Sequence, residues 1–414
     1  MPDYRIAYRP FPQQQAYFRR KVNMPSARWD DLMHGEHAHG FMAAGVARAD
    51  VLDDLRRAVQ AAIDDGEGFD AFRSRFDDIL RRHGWIGGAG DESDARRAWR
   101  MRTIYQTNLR TSYMAGRWEQ LQAFPYLRYQ HNTVTNPRED HKQWNGLVLA
   151  TDDPWWNTHY PPNGWGCRCT VTGVGKGRMR ALGKDAPDQA PDPSDGDPPE
   201  EWAYHPGKAA RSLPAAASFG EKVAQLPPPW RAAALDDAQR RRADWFADWP
   251  GFIGTVRGEI AAGAARPQGA ATPLGFIPEQ VLGILASGRA LNGRAFAPVT
   301  PRTALVATTD RAVYHSLRDA KFTDRPELRD VFTAALENAP AWVASADAVL
   351  WNAADGVLMF ARRGDDGHYM TLVARVDLRE RRAREPAMAT WLRTVEMYTG
   401  AALRQHALVA GRIE

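Results

Sequence analysis

The most distinctive stretch of this 414-residue chain is DDPWWNTHYPPNGWGCRCT, which occupies residues 152–170. It contains the only two cysteines of the sequence, Cys167 and Cys169, together with three tryptophans and three prolines. Prolines and glycines interrupt helices and strands, so this composition predicts a long, ordered, Trp/Pro-rich loop. A buried loop must satisfy its backbone polar groups, and we therefore expect its polar side chains to have structural partners.

The two cysteines suggest a metal site as one interpretation of this loop. A disulfide between residues so close in sequence would close a small, strained ring, and we do not expect one. Two thiolates, with imidazoles supplied by His141 and by either His131 or His159, would form a Cys2His2 zinc set. Under this interpretation zinc is the cofactor, and Cys167, Cys169 and His141 are its predicted ligands.

Two other interpretations of the same residues remain open. In a purely structural loop, the cysteines pack as small buried hydrophobic side chains, while His141 and Arg168 hydrogen-bond the loop backbone. In a catalytic loop, Cys167 is a nucleophile and His141 is its base. The structural interpretation requires no cofactor, and the sequence contains no feature that orients a catalytic pair.

Further elements extend the pattern to residues 136–172, which read NPREDHKQWNGLVLATDDPWWNTHYPPNGWGCRCTVT. The pattern combines an Arg-x-x-His element, a Trp-x-Gly element, an Asp-Asp-Pro-aromatic element and the closing Cys-Arg-Cys. It resembles the head-morphogenesis family typified by the F protein of phage Mu and the minor head protein of phage SPP1, over residues 50–175. The residues that carry the family motif are Arg138, His141, Trp144, Gly146, Asp153, Pro154, Trp156, Pro162, Asn163, Gly164, Trp165, Cys167, Arg168 and Cys169.

The resemblance implies a minor head protein of a Mu-like bacteriophage or prophage, made late and built into the virion during head morphogenesis near the portal. Its expected partners are the portal protein, the major capsid protein and the scaffold of a phage head. Its expected location is the virion, after assembly in the host cytoplasm. We expect Trp144, Trp155, Trp156 and Trp165 to pin the loop in a core, and a surface that contacts the portal or the major capsid protein is the open alternative.

Composition and charge narrow the class of protein. Hydrophobic residues make up 44% and charged residues 25% of the chain, which is ordinary for a soluble globular protein. The net charge of +4 is too small on this chain to argue for nucleic-acid binding. No apolar run approaches the roughly 18 residues of a membrane span, and the N-terminus lacks a signal-peptide core, so we expect synthesis in the cytosol.

Hydrophobic periodicity predicts an α+β fold. Apolar residues at three- and four-residue spacing predict helices over 46–64, 69–83 and 94–123, and alternation predicts a strand over 126–135. The predicted divisions are an irregular N-terminal arm at 1–45, a helical head-morphogenesis domain with the long loop at 46–182, an acidic Pro-rich linker at 183–229, a helical spacer at 230–299, and a C-terminal α+β domain with an antiparallel sheet at 300–414. Asp-Gly turns at 355–356 and 366–367 predict hairpins in that sheet.

The C-terminal domain resembles small ribonucleases of the barnase, EndoU, colicin and RelE type in its order of elements. The resemblance implies metal-free cleavage of RNA by a general base and acid with cationic stabilisation. His315, Arg375, Thr394 and Arg412 are the candidate catalytic residues, and Lys321 is a further candidate cation. The main role remains non-enzymatic under this prediction, and a purely structural version of the domain, or an unrelated module, is the alternative.

Overall fold

The computed structural model describes residues 11–84, 94–132, 137–192, 196–263 and 267–414. The chain divides into two compact units, Met1–Arg211 and Ser212–Glu414, which we call unit 1 and unit 2. Both units combine helices with strands, so the predicted α+β class is confirmed. No helix among the described residues is long and apolar enough to cross a membrane.

The helices in the described part of unit 1 range from four to 28 residues in length. They are α1 (Pro12–Arg19), α2 (Ala49–Asp65), α3 (Phe69–His83), α4 (Asp94–Leu121), α5 (Glu139–Gln143), α6 (Trp156–His159), α7 (Lys176–Ala181) and α8 (Pro206–Ala209). Its strands are β1 (Val22–Asn23), β2 (Gly40–Phe41), β3 (Tyr126–Gln130), β4 (Val148–Ala150) and β5 (Thr170–Val174). Helices α2, α3 and α4 confirm the three predicted helices, whereas the strand predicted over 126–135 ends at Gln130.

Helices α2, α3 and α4 bury one continuous apolar core. Val51, Leu55 and Val59 form the stripe of α2 and are fully buried. Phe72 and Phe76 of α3 join the same cluster. Because both helices present one apolar face to this cluster, packing of those faces stabilises them more than intrinsic helix propensity does.

The segment predicted to be an irregular arm contains regular structure. Helix α1 packs along α4, and Phe18 at its end is fully buried beside Phe41. Gly116 of α4 permits this approach, because a Cβ at that position would lie 2.7 Å from the backbone nitrogen of Gln14. The prediction of an irregular segment is therefore wrong for α1, whose two turns are too short to show a convincing period in sequence.

Strand β3 is the centre of a three-stranded antiparallel sheet with the order β4–β3–β5. Leu127 and Tyr129 alternate with less buried residues along β3 and are fully buried. Gln130 pairs with Thr170 at the end of the β3–β5 ladder. This register places the chain that leaves β3 beside the chain that enters β5.

Unit 2 contains a larger sheet and more helices. Its helices are α9 (Leu213–Gln225), α10 (Pro228–Arg240), α11 (Arg242–Trp245), α12 (Trp249–Ala261), α13 (Glu279–Ser287), α14 (Asp310–Leu317), α15 (Leu328–Glu337), α16 (Ala339–Ser345) and α17 (Gly400–Leu403). Its strands are β6 (Ala271–Phe276), β7 (Leu305–Thr309), β8 (Ala348–Asn352), β9 (Val357–Arg363), β10 (His368–Arg379), β11 (Met388–Thr399) and β12 (Ala407–Gly411).

The described strands of unit 2 form one sheet in the order β12–β8–β9–β10–β11–β7–β6. Neighbouring strands are antiparallel except β11 and β7, which run parallel. The two predicted Asp-Gly turns connect β8 to β9 and β9 to β10. Their glycines, Gly356 and Gly367, have φ of 64° and 77°, a conformation that favours glycine.

The structure divides the chain at a different place from the sequence-based boundaries. The predicted linker at 183–229 contains α9, whose Leu213 and Ala216 are buried in the same cluster as Leu305 of β7. The predicted spacer at 230–299 contains β6, which pairs with β7. Unit 2 therefore begins at Ser212 rather than near residue 300, because its sheet recruits elements that lie far upstream in sequence.

Candidate functional site

The tryptophans of the family motif form a core with one exception. Trp144 and Trp156 are 2% exposed or less, and Trp155 is 8% exposed. Their rings and that of Tyr129 meet edge to face, with centroids 5.1 to 6.0 Å apart, the arrangement that aromatic pairs favour. Trp165 is 44% exposed. The expected pinning of the loop in a core therefore holds for three of the four tryptophans.

The Asp-Asp-Pro-aromatic element positions α6. Asp153 and Pro154 immediately precede the aromatic pair, and Oδ1 of Asp153 accepts a hydrogen bond from the backbone N–H of Trp155 at 2.9 Å. Such a carboxylate satisfies an N–H group at the start of a helical turn. The indole N–H of Trp156 donates to the carbonyl of Ala150 at 2.9 Å and fixes α6 against β4.

The Arg-x-x-His element and the Asn-Gly-Trp element meet in space. The guanidinium of Arg138 donates to the carbonyl of Trp165 at 2.8 Å. Gly164 lies against this guanidinium, and a Cβ there would come within 3.1 Å of Cζ of Arg138. The side-chain amide of Asn163 donates to the carbonyl of His159 at 2.8 Å. The polar side chains of these motif elements therefore donate hydrogen bonds to the loop backbone.

Two motif glycines occupy tight turns. Gly146 has φ of 88°, and its N–H donates to the carbonyl of Tyr129 at 2.9 Å. Gly166 has φ of 68° directly before Cys167. Both conformations are strained for residues that carry a Cβ, which explains the glycines. Pro162 follows a cis peptide bond.

Two imidazoles and two thiols converge in unit 1. Nδ1 of His141 lies 3.7 Å from Sγ of Cys167 and 3.5 Å from Sγ of Cys169, and the ligand atoms of these three residues lie within 4.8 Å of one another. Nδ1 of His131 lies 3.5 Å from Sγ of Cys169. His131 is half-buried and the other three are buried. We call these four residues the thiol–imidazole cluster.

Three separate elements carry the members of the cluster. His131 directly follows β3 and Cys169 directly precedes β5, so the β3–β5 register brings them to neighbouring positions. His141 lies on α5 and stacks on Trp144, with ring centroids 5.2 Å apart. The convergence therefore follows from strand pairing and aromatic packing.

His159, the other imidazole considered as a ligand, has different partners. Its Nδ1 lies 2.8 Å from the hydroxyl of Thr158 and 3.2 Å from the carbonyl of Trp155. Its Nε2 lies 3.2 Å from the carboxylate of Asp197. Because both ring nitrogens of His159 have these partners, the geometry selects His131 as the fourth member of the cluster.

Hydrogen bonds make the two cysteines chemically unequal. A hydrogen bond between the two thiols lowers the pKa of Cys167 well below its usual value although burial opposes the shift. The same bond, together with burial, raises the pKa of Cys169. The backbone N–H groups of Asn163 and Asn132 donate to Cys167 and Cys169, respectively. Such bonds stabilise negative charge on sulfur.

Polar residues outside the motif also support the cluster, and no motif in the sequence marks them. The carbonyl of Arg168 accepts hydrogen bonds from Arg110 at 2.9 Å and from the side chain of Asn132 at 2.6 Å. Oδ1 of Asn145 accepts from the backbone N–H of His131 at 3.0 Å. Each acts through one contact with the main chain, and no sequence period marks such contacts.

The geometry supports the catalytic-thiol interpretation less well than the metal-site interpretation. A cavity of about 310 Å³ adjoins Cys167. However, Nδ1 of His141 lies nearer to Cys169 than to Cys167. A general base must be oriented toward its nucleophile, and here it faces two sulfurs. The pair of Cys167 and His141 stays a prediction.

The candidate residues of unit 2 are only partly brought together. The ammonium of Lys321 donates to the hydroxyl of Thr394 at 3.2 Å and to the carbonyl of Val395 at 2.6 Å. His315 is exposed on α14, and its pKa is lowered first by partial burial and then by the charges of Arg318 and Lys321. Lys321 therefore contacts Thr394 and also lies close enough to His315 to affect its pKa.

Arg375 and Arg412 lie elsewhere on the sheet of unit 2. Arg375 is exposed opposite Trp391, whereas Thr394 is opposite Val373, about 7 Å away along β10. Arg412 follows β12, and β8, β9 and β10 separate that strand from β11. Four strand spacings amount to about 19 Å. The predicted convergence of His315, Arg375, Thr394 and Arg412, which we call the ribonuclease-like set, is therefore wrong for Arg412.

Comparisons with known proteins bear on unit 1. Residues 53–172 match the family model described as Phage Mu protein F like protein. The chain is 31% identical over 235 residues to the "Putative capsid assembly protein F" of Escherichia phage Mu, covering 47% of this chain and 54% of that protein. It is 34% identical over 163 residues to the "Mu-like prophage FluMu F protein" of Haemophilus influenzae, covering 37% of this chain and 39% of that protein.

The chain thus aligns with about half or less of the length of these two relatives. No solved structure matches it significantly. The matched segment begins within α2 and ends within β5, and it contains the buried tryptophans and the whole thiol–imidazole cluster. The predicted resemblance to the Mu F-like family is confirmed over residues 53–172, which match the Phage Mu protein F like model.

Proposed function

We propose that this chain is a minor head protein of a Mu-like phage or prophage that acts in head morphogenesis and virion assembly near the portal. The observation that carries the proposal is the family match of residues 53–172. The relative from phage Mu is named a putative capsid assembly protein, which supports the same role here. Under this proposal the chain is assembled in the host cytoplasm and remains in the virion.

A structural role fits what the motif residues do. Trp144 and Trp156 are buried. Asp153 and Arg138 bond to the backbone of the loop that contains them. Polar side chains that serve backbone groups stabilise a loop conformation, so these contacts support a module that presents a fixed surface to head partners.

Three exposed tryptophans of unit 1 line one largely apolar groove. Trp29, Trp99 and Trp165 are 51%, 64% and 44% exposed, respectively. They line a cavity of about 510 Å³ together with Met33 and Met42. Tryptophan is enriched among residues that dominate binding energy, because covering its ring removes a large apolar area from water. We propose that the portal protein covers this groove, while the major capsid protein and the scaffold are the neighbouring components.

An induced prophage that encodes this chain provides the test. Deletion of the gene is expected to abolish normal heads in electron micrographs, because head assembly lacks a required component. Mass spectrometry of purified wild-type particles is expected to detect the chain. Normal, infectious particles assembled without the chain would contradict the proposed function.

Surface variants test the groove separately. The triple variant Trp29→Ala, Trp99→Ala, Trp165→Ala is expected to fold and to lose at least tenfold in co-purification with the portal protein encoded by the same prophage. Val331→Ala in unit 2 removes a side chain of similar exposure, 43%, and serves as the control. Undiminished portal binding by the triple variant, or loss of binding to the major capsid protein alone, would overturn the portal assignment.

The alternative, a head-carried enzyme whose C-terminal unit is a metal-free ribonuclease acting on RNA, stays a prediction. The contact between Lys321 and Thr394 near His315 supports part of the arrangement. The position of Arg412 does not. A structural role in the head therefore has the stronger support.

A further inference from the structure

We propose that the thiol–imidazole cluster is a closed structural zinc site with His131, His141, Cys167 and Cys169 as its four ligands. The site would lie at the junction of β3, α5 and β5. It would tie these three segments together within unit 1. The proposal is independent of the role of the chain in phage heads.

Three of the distances between ligand atoms fit a tetrahedral zinc ion. Zinc binds thiolate sulfur at about 2.3 Å and imidazole nitrogen at about 2.05 Å, so tetrahedral angles separate a nitrogen from a sulfur ligand by about 3.6 Å. Of the four nitrogen–sulfur separations in the cluster, those from His141 to both cysteines and from His131 to Cys169 measure 3.7, 3.5 and 3.5 Å. His131 lies outside the group of three residues whose ligand atoms are all within 4.8 Å of one another.

Hydrogen bonding alone explains these contacts less well. A neutral imidazole offers one lone pair or one proton at Nδ1. Nδ1 of His141 nevertheless faces two sulfurs, and Sγ of Cys169 faces two imidazole nitrogens. One cation between Nδ1 of His141 and the two sulfurs would satisfy these three atoms at once, and a shift of His131 from its place beside Cys169 would supply the fourth ligand. Two soft thiolates and two imidazoles form a ligand set that favours zinc.

The surroundings of the cluster match those of a structural metal site. Backbone N–H groups of Asn163 and Asn132 donate to the two sulfurs, as outer hydrogen bonds do to metal-bound thiolates. Two thiolates and two neutral imidazoles cancel the charge of Zn²⁺. Cys167, Cys169 and His141 are at most 5% exposed. Four protein ligands leave no open coordination position, so the proposed ion stabilises the fold and does not activate water.

Strand geometry explains why this ligand set is available. Gln130 and Thr170 form the last pair of the β3–β5 ladder, and the next residue on each side is a cluster member. The carbonyl of Arg168 is held by Arg110 and Asn132, which fixes the turn between the two cysteines. The ligands therefore lie on segments whose positions are set by other contacts, as a preorganised metal site requires.

The metal content of the purified full-length chain is the primary test. After growth with added zinc and purification without chelators, we expect about one zinc per chain by plasma mass spectrometry. The cobalt-substituted chain is expected to show thiolate-to-cobalt charge transfer and the d–d bands of tetrahedral cobalt. A folded chain that contains no zinc and binds no cobalt would overturn the proposal.

Ligand variants test the four-residue set. His131→Ala is expected to weaken zinc binding at least tenfold in competition with a chelator, and Cys169→Ser is expected to abolish tetrahedral cobalt bands. His368→Ala replaces a half-buried histidine of unit 2, whose side chain is 43% exposed, and is expected to leave zinc binding unchanged. If Cys169→Ser fails to fold, the zinc affinity of His131→Ala and the cobalt spectrum of the wild-type chain still test the zinc site. Unaltered zinc affinity in His131→Ala would overturn the four-ligand site.

Discussion

The thiol–imidazole cluster of unit 1 and the ribonuclease-like set of unit 2 both contain side chains suited to chemistry, but they differ in how the fold arranges them. The cluster joins residues from 131 to 169 through one strand pairing and one aromatic stack. The ribonuclease-like set is spread over α14, β10, β11 and the end of β12. The comparison shows that suitable residue types indicate a site only when the sheet register brings them together.

The cluster and the ribonuclease-like set also differ in how deeply their side chains are buried. The cluster lies beside a core that contains Trp144, Trp155 and Trp156. In unit 2, His315, Arg375 and Arg412 are exposed. Substitutions in the first region should therefore affect stability, whereas substitutions in the second should affect little besides local surface charge.

The largest effect is expected for Trp156→Ala. Trp156 is fully buried and its indole bonds to Ala150, so its removal leaves a cavity and an unpaired carbonyl. We expect the free energy of unfolding of unit 1 to fall by about 3–5 kcal/mol. Urea denaturation followed by circular dichroism measures the change.

Trp165→Ala is the matched control within the same motif. Its ring is 44% exposed, and the hydrogen bond from Arg138 goes to its carbonyl, which the substitution retains. We expect a loss of about 1 kcal/mol or less. Equal losses for Trp156→Ala and Trp165→Ala would show that the motif tryptophans do not differ as their burial implies.

An intermediate effect is expected for Gly220→Ala, which tests where unit 2 begins. A Cβ at Gly220 of α9 would lie 2.6 Å from Oγ1 of Thr303 and 2.8 Å from Cβ of Leu305. Both neighbours are fully buried, so we expect a loss of about 1–3 kcal/mol in the stability of unit 2. Thermal and urea unfolding measure it.

Gly283→Ala in α13 is the control for that prediction. No atom lies within 4 Å of an added Cβ at Gly283, and alanine favours helix over glycine by about 1 kcal/mol. We expect unchanged or higher stability. A Gly220→Ala variant as stable as Gly283→Ala would mean that α9 is not packed on the sheet and that this segment is a linker after all.

The smallest effect is expected for His315→Ala. The full-length chain and this variant, incubated with single-stranded RNA in a chelator, are expected to give cleavage rates within about twofold of each other. General acid–base catalysis contributes roughly 10²- to 10⁴-fold. Metal-independent cleavage by the wild-type chain that falls by about 100-fold in His315→Ala would establish the ribonuclease alternative.

Periodic features of the fold were predictable from the sequence. The stripe that begins at Val51 predicted α2, and Phe72 and Phe76 predicted α3, because one apolar face repeats at helical spacing. The Asp-Gly dipeptides that end at Gly356 and Gly367 predicted two hairpins, because only a few dipeptides suit such turns.

Features that depend on distant pairing were not predictable in the same way. The parallel pairing of Thr390 with Val306 joins β11 to β7 across more than 80 residues, and no local pattern marks it. In the site, Cys167, Cys169 and His141 were identified by residue type. The choice of His131 over His159 required the β3–β5 register.

Hydrogen exchange of the full-length chain, with and without a zinc chelator, tests most directly the claim that the motif holds unit 1 together through its cluster. We predict that chelation lowers amide protection at least tenfold in 126–132, 139–150 and 167–174, and leaves 348–399 of unit 2 unchanged. Unchanged protection in the three segments of unit 1, or an equal loss in both units, would contradict the account.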